Sequence, residues 1–110
     1  MRHEIRYKNS LRSAAAEIYA RKRANLALDR FVERIDVLSI KFEDLNGPKG
    51  GVDKRCTIEA RGRFLPRIAS AHAENYFVAA DRAFQKLERS LARACERESH
   101  RAATPFRRVA

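Results

Sequence analysis

The stretch "KFEDLNGPKGGVDKRC", residues 41–56, holds three of the four glycines and one of the three prolines of the chain. Before it, "IDVLSIKFEDL" alternates Leu38, Ile40 and Phe42 with Ser39, Lys41 and Glu43, the period of two of a half-buried strand. After it, "KRCTIEAR" alternates Cys56, Ile58 and Ala60 with Arg55, Thr57 and Glu59, which suits a second strand. Asn46-Gly47 is a strong turn dipeptide, Pro48 fixes φ, and Gly50-Gly51 permit positive φ. A phosphate-cradling Walker loop would need Gly-Lys-Ser/Thr running into a helix. Here Gly50-Gly51 run into Val52-Asp53 and a strand. The stretch therefore predicts a hairpin connection that carries two lysines, Lys49 and Lys54.

Outward from the hairpin, 110 residues suit one domain with a single packed core. Lys and Arg number 24 against 14 Asp and Glu, a net charge of +10. On a 12.6 kDa chain with a pI near 10.4, that excess predicts attraction to a polyanion. No run of about 18 apolar residues suggests a membrane span. The start "MRHEIRYKNS" lacks the apolar centre of a signal peptide, so a cytoplasmic protein is expected. Cys56 and Cys95 are expected as reduced thiols. The spacings of Cys56, His72, Cys95 and His100 do not match a zinc site, and no metal or cofactor is assigned.

"EIRYKN" is an edge-strand candidate with Ile5 and Tyr7 on one face. Ser10 or Ser13 can cap a helix through "AAAEIYARKRANLALDRFVERI", rich in good helix formers. Its core face is open between two stripes: Ala16, Ala20, Ala24, Ala27 and Phe31, or one containing Ile18, Leu26 and Leu28. "RIASAHA" is a fourth strand, and a helix from about Asn75 to Arg97 follows. The order β-α-β-β-β-α predicts an α+β domain: a four-stranded sheet with two helices packed on one face, a dsRBD-like layering. In the tail "SHRAATPFRRVA", Thr104-Pro105 is expected to stop the helix, and residues 99–110 are expected to form a mobile basic tail.

In the last helix, Phe77, Ala80, Phe84, Leu87, Leu91 and Ala94 are spaced by three and four, the pattern of a core stripe. Arg82, Lys86, Arg89, Arg93 and Arg97 recur nearly opposite. Charge runs on helices are commonly solvated faces with ion pairs. This one is uniformly basic over four turns of a basic chain, so it is the candidate polyanion surface. Arg21-Lys22-Arg23, Arg30 and Arg34 add charge to the first helix. If the outward sides of both helices combine, they form a basic ridge that follows phosphates by charge and shape. Few aromatics are available to stack on bases.

"FEDLNGPKGGVDKRCTIEARG" followed by "FVAADRAFQKLERSL" resembles the ribosome hibernation-promoting factor and ribosome-associated inhibitor family, also labelled sigma-54 modulation proteins. Asp44, Asn46, Gly47, Gly50, Gly51, Asp53, Lys54 and Cys56 match its hairpin motif. Phe77, Ala79, Asp81, Lys86, Leu87, Arg89 and Leu91 match its second helix, and "RKRANLALDRFVERI" its first. The resemblance covers residues 4 to about 98 and implies a hibernation-factor-like domain over residues 1–98, of the short type. It implies binding to the small ribosomal subunit in the messenger and transfer RNA channel, with reversible silencing of translation and no catalysis. The RNA-binding residues expected are Lys22, Arg23, Arg30, Lys49, Lys54, Arg82, Lys86, Arg89 and Arg93, with Lys54 pointing out beside the helices. The expected partners are that subunit and its ribosomal RNA, with no membrane, no DNA, no cofactor and a monomeric free state. The alternative is a regulatory module that binds protein, as the sigma-factor label suggests. A hydrolase or nuclease is a poor fit, because no carboxylate pair, His-Cys dyad or metal cluster gathers in one element.

Overall fold

The structure, a computed structural model, describes residues 1–46, 52–63 and 66–109, with side chains described as far as residue 97. In chain order the elements are β1 (Arg2–Lys8), α1 (Ala14–Leu28) with a 3-10 turn at Asp29–Phe31, β2 (Ile35–Asp44), β3 (Lys54–Gly62), β4 (Arg67–Ala73) and α2 (Tyr76–Val109). The sheet order is β1-β2-β3-β4. β1 runs parallel to β2, and the other neighbours are antiparallel. This is the α+β order expected from the sequence.

The hairpin closes where its flanks predict. Phe42 pairs with Cys56 and Asp44 with Lys54. Beyond the last pair, Leu45 N–H donates to Asp53 O at 2.8 Å. Asn46 N–H donates to Asp44 Oδ1 at 3.2 Å, the short side-chain bridge that favours Asx residues in turns. Lys49 and the glycines at 47, 50 and 51 lie outside the described residues.

The period of two sorts the sheet into faces. Leu38, Ile40, Phe42, Cys56, Ile58 and Ala60 are buried against the helices, as are Ala69, Ala71 and Ala73 of β4. Phe42 has no exposed surface; it stacks on Tyr7 with centroids 5.6 Å apart and meets Tyr76 at a tilt, 4.8 Å away. Truncation of such a side chain costs about 3–5 kcal/mol. At the far end of β3 the backbone leaves no room for a side chain: a Cβ on Gly62 would overlap the Arg34 carbonyl oxygen and sit 2.9 Å from Asp36 N.

Ser13 caps α1 by accepting from Ala16 N–H at 3.2 Å. Of the two candidate core stripes, the structure selects the alanines. Ala16, Ala20, Ala24 and Ala27 are buried together with Leu28 and Phe31, whereas Ile18 and Leu26 are 59% and 78% exposed. Residues without a γ-carbon let the α1 backbone lie close to its neighbours, so close approach decides the face here, not side-chain bulk.

In α2, Asn75 caps the first turn through its Oδ1, which accepts from Val78 N–H at 2.9 Å. Ala80, Phe84, Leu87 and Leu91 are buried as expected, with Ala79 and Ala83 beside them. Phe77 departs from the expected stripe. It is 40% exposed, because the two alanines rotate the buried arc toward β4 and leave Phe77 on the flank facing α1. Ala94 is likewise only partly buried. α2 also continues past Arg97 to Val109, through Thr104-Pro105, where the sequence predicts a stop. A proline removes one intrahelical hydrogen bond, and the Arg- and Ala-rich residues before it are good helix formers. At about 1.5 Å per residue this helix accounts for most of the 64 Å long axis.

Candidate nucleic-acid interface

Both helices start at the hairpin end of the sheet, β1 leading into α1 and β4 into α2, so they run parallel and side by side. Their contact is polar. Tyr19 Oη donates to Asp81 Oδ1 at 2.6 Å, and Arg23 Nε donates to the same oxygen at 2.9 Å. The Asp81 hydrogen bond holds the Tyr19 phenol above its usual range. Tyr19 also meets Phe77 edge-on, centroids 5.3 Å apart. Further along, Arg30 approaches Glu88 at 4.0 Å and lies over the Phe31 ring at 4.7 Å.

The sequence-predicted cations fall into distinct settings around this contact. On α1, Lys22 is exposed, Arg23 is largely covered by its bond to Asp81, and Arg30 keeps 63% of its side chain in solvent. On α2 the basic row lies on the side away from α1, over the unpaired edge of β4. Arg82 donates to His72 O at 3.1 Å and Lys86 to Ser70 O at 3.0 Å. These bonds satisfy edge carbonyls that would otherwise invite another strand. Arg89 and Arg93, one and two turns on, are exposed with no partner among the described residues. The result is two basic strips with Tyr19, Phe77, Asp81 and Glu88 between them.

Lys54 departs from its expected place. Its ammonium sits 3.0 Å from Asp53 Oδ1 and 3.3 Å from Asp44 Oδ2, with 23% of the side chain exposed. The Asp53 hydrogen bond, then Asp44, raises its pKa. Asp53 has no exposed surface and its Oδ2 lacks a hydrogen-bond partner. Lys54 is therefore held inward as the counter-ion of a buried carboxylate, since burial of an unpaired charge would cost several kcal/mol. The pattern Asp-x-Asn-Gly and Gly-Gly-x-Asp-Lys thus closes the base of the hairpin with an Asp44-Lys54-Asp53 cluster.

Two features escape the sequence reading. The clamp on Asp81 joins residues about sixty positions apart: Asp81 stands out as a motif residue, but nothing in the sequence names Tyr19 and Arg23 as its partners. The bonds of Arg82 and Lys86 to β4 require knowing that β4 is an edge. Among the described residues, no group of three His, Cys, Asp or Glu is placed to hold a metal ion. No helix among them is long and apolar enough to cross a membrane.

The fold has solved counterparts. The chain is similar to a ribosomal subunit interface protein from Coxiella burnetii (TM-score 0.71, 18% identity, 84% of this chain and 96% of that one). It is also similar to the Protein Y N-terminal domain of Thermus thermophilus (TM-score 0.68, 17% identity, 84% and 98%). No curated protein sequence matches significantly. The family model described as "Sigma 54 modulation protein / S30EA ribosomal protein" matches residues 3–99, spanning α1, the whole hairpin motif and α2 as far as residue 99, and the chain accordingly belongs to that family.

Proposed function

We propose that the protein binds the small ribosomal subunit through its two helices and silences translation by occupying the messenger and transfer RNA channel. The observation that carries this reading is the placement of Lys22, Arg89 and Arg93. All three are exposed and without partners among the described residues, on parallel helices of a chain with net charge +10. A cation without an internal partner loses no ion pair when it meets a phosphate, so its contribution to RNA binding is not offset. Family membership and a likeness to a subunit interface protein support the ribosome as the RNA.

The mechanism needs no chemistry. A domain whose Cα trace is 22 × 19 Å in cross-section excludes other occupants of a channel by filling it. Arg82 and Lys86, already bonded to β4, present the rest of their charge as a fixed strip. Arg89 and Arg93 supply the mobile contacts. The aromatics on this surface, Tyr19 and Phe77, meet each other edge-on, and the cations outnumber them, so recognition rests chiefly on phosphate geometry.

The test is cosedimentation with purified ribosomes over a salt series. Each phosphate neutralised contributes about 0.7 to 0.9 to the logarithmic salt slope. Arg89→Gln with Arg93→Gln lowers that slope by about 1.4 to 1.8 and leaves the unfolding midpoint unchanged. Salt-independent pelleting of the wild type would contradict the RNA reading and favour docking through protein contacts.

A further inference from the structure

Both helices cover one face of the sheet, and among the described residues the other face is bare. Its residues fall into rows across the strands. One row runs Arg6, Lys41, Thr57, Ser70, each directly opposite the next. It holds two cations, two hydroxyls and no carboxylate. The adjacent rows place Ser39 and Arg61 on the same face, around a shallow depression of about 380 Å³ that Arg6, Lys41 and Thr57 also line.

The charge of this face is not self-compensating. Over β1 to β3, the six cations Arg2, Arg6, Lys8, Lys41, Arg55 and Arg61 meet three carboxylates. Glu4 is shared by Arg2 and Arg6 at 3.1 and 3.6 Å. Glu43 is engaged by Arg55 and by Lys8, and Glu59 by Arg61 at 3.4 Å. Lys41, at the centre and half-buried, makes no hydrogen bond or close ion pair among the described residues; the acid it acts on, Glu43, is already engaged by Arg55 and Lys8. It stands directly opposite Arg6, and like charges in that position destabilise a sheet. An arrangement that costs stability in the free protein is relieved when an anion sits between the two cations.

We infer that the bare sheet face is a second RNA-phosphate surface, with Arg6 and Lys41 contacting the backbone and Thr57 and Ser70 donating from their hydroxyls. The inference rests on the RNA-binding reading above and extends it: the domain holds RNA on both sides, helices on one and sheet on the other. The face carries no aromatic side chain in these rows, so it takes backbone and not stacked bases. Ser39, Thr57 and Ser70 can donate to phosphate oxygens or ribose hydroxyls.

The experiment titrates the intact protein with a short RNA duplex of about one helical turn, at low salt. Stoichiometry is read by calorimetry and contacts by amide chemical shifts. Two duplexes per protein are expected, with shifts at Arg6, Lys41, Thr57 and Ser70 as well as on α2. Arg6→Gln with Lys41→Gln reduces the count to one and abolishes the sheet shifts. Removal of two like charges that face each other leaves folding intact. Arg89→Gln with Arg93→Gln keeps the sheet shifts and loses those on α2. One duplex per wild-type protein, or shifts confined to the helices, overturns the inference, and so does an absence of duplex binding. Cosedimentation with ribosomes reports separately on the helical surface, so a failed sheet face and a failed ribosome reading give different results.

Discussion

Tyr19 and Arg23 of α1 converge on one oxygen, Oδ1 of Asp81 in α2, at 2.6 and 2.9 Å. This three-residue clamp sets the spacing of the two basic strips. Asp81→Ala leaves a phenol and a guanidinium without their shared acceptor, at a cost of about 1–2 kcal/mol given the partial exposure of the pair. Urea unfolding measures the loss. The Tyr19 phenol, no longer held up by the carboxylate, titrates at lower pH in the variant, as ultraviolet absorbance reads. An unchanged phenol titration would show that the clamp is not populated in solution.

A pH effect is expected from Glu43, a carboxylate on the bare sheet face with only 5% of its side chain exposed. The Arg55 hydrogen bond, reinforced by nearby cations, holds its pKa below the usual 4.5. A depressed folded-state pKa means the ionised form stabilises the fold above the unfolded value, and that contribution is lost as pH falls through the folded one. Wild type therefore loses stability progressively below about pH 4.5. Glu43→Gln is less stable at neutral pH and flatter in acid, with a residual slope from Glu17, which Arg12 holds low in the same way. Parallel wild-type and variant profiles would contradict the assignment.

The β-hairpin, the fourth strand and the order of elements were legible because each strand buries alternate residues, and that period survives in the sequence. The α1 face was not. Its buried residues are alanines, and hydrophobicity favours Ile18 and Leu26, which the fold leaves in solvent. The candidate cations were recognisable as a periodic row. Their division into edge-bound Arg82 and Lys86 and unpartnered Arg89 and Arg93 depends on where β4 lies, which no local pattern encodes. For Lys54 the period of two points inward, to the face of Cys56, Ile58 and Ala60, but a lysine at the mouth of a hairpin looks solvent-bound until Asp53 beside it is known to be buried. The row Arg6-Lys41-Thr57-Ser70 exists only through the register of four strands.

The two thiols are expected to differ in reactivity. Burial pushes the Cys56 thiol up to about 12, so about one molecule in ten thousand carries the reactive thiolate at pH 8. Cys95 is only half-buried on α2. Iodoacetamide at pH 8 modifies Cys95 first in the native protein, and Cys56 only once urea unfolds it. Equal native labelling, read by peptide mass spectrometry, would show that β3 opens locally.

Gly62 tests the packing at the far end of the sheet. Its missing Cβ is what lets the strand pass the Arg34 carbonyl and the Asp36 amide, and backbone atoms cannot swing aside as a side chain would. Gly62→Ala destabilises the domain by about 1–3 kcal/mol. Ala60→Gly on the same strand removes only a small buried methyl and weakens the strand by about 1 kcal/mol. Thermal melts rank the two, and an equal or smaller loss for Gly62→Ala would contradict the close approach.

The central claim is that this domain stops translation by filling a channel that messenger and transfer RNA would otherwise occupy. The most direct measurement is cell-free translation titrated with protein, using ribosomes that are vacant or preloaded with messenger and initiator transfer RNA. Vacant ribosomes are silenced at about one protein per ribosome, the vacant population is captured rapidly at low salt through the net positive charge, and preloading protects. Equal inhibition of both populations, or silencing of many ribosomes by one protein molecule, would contradict the account.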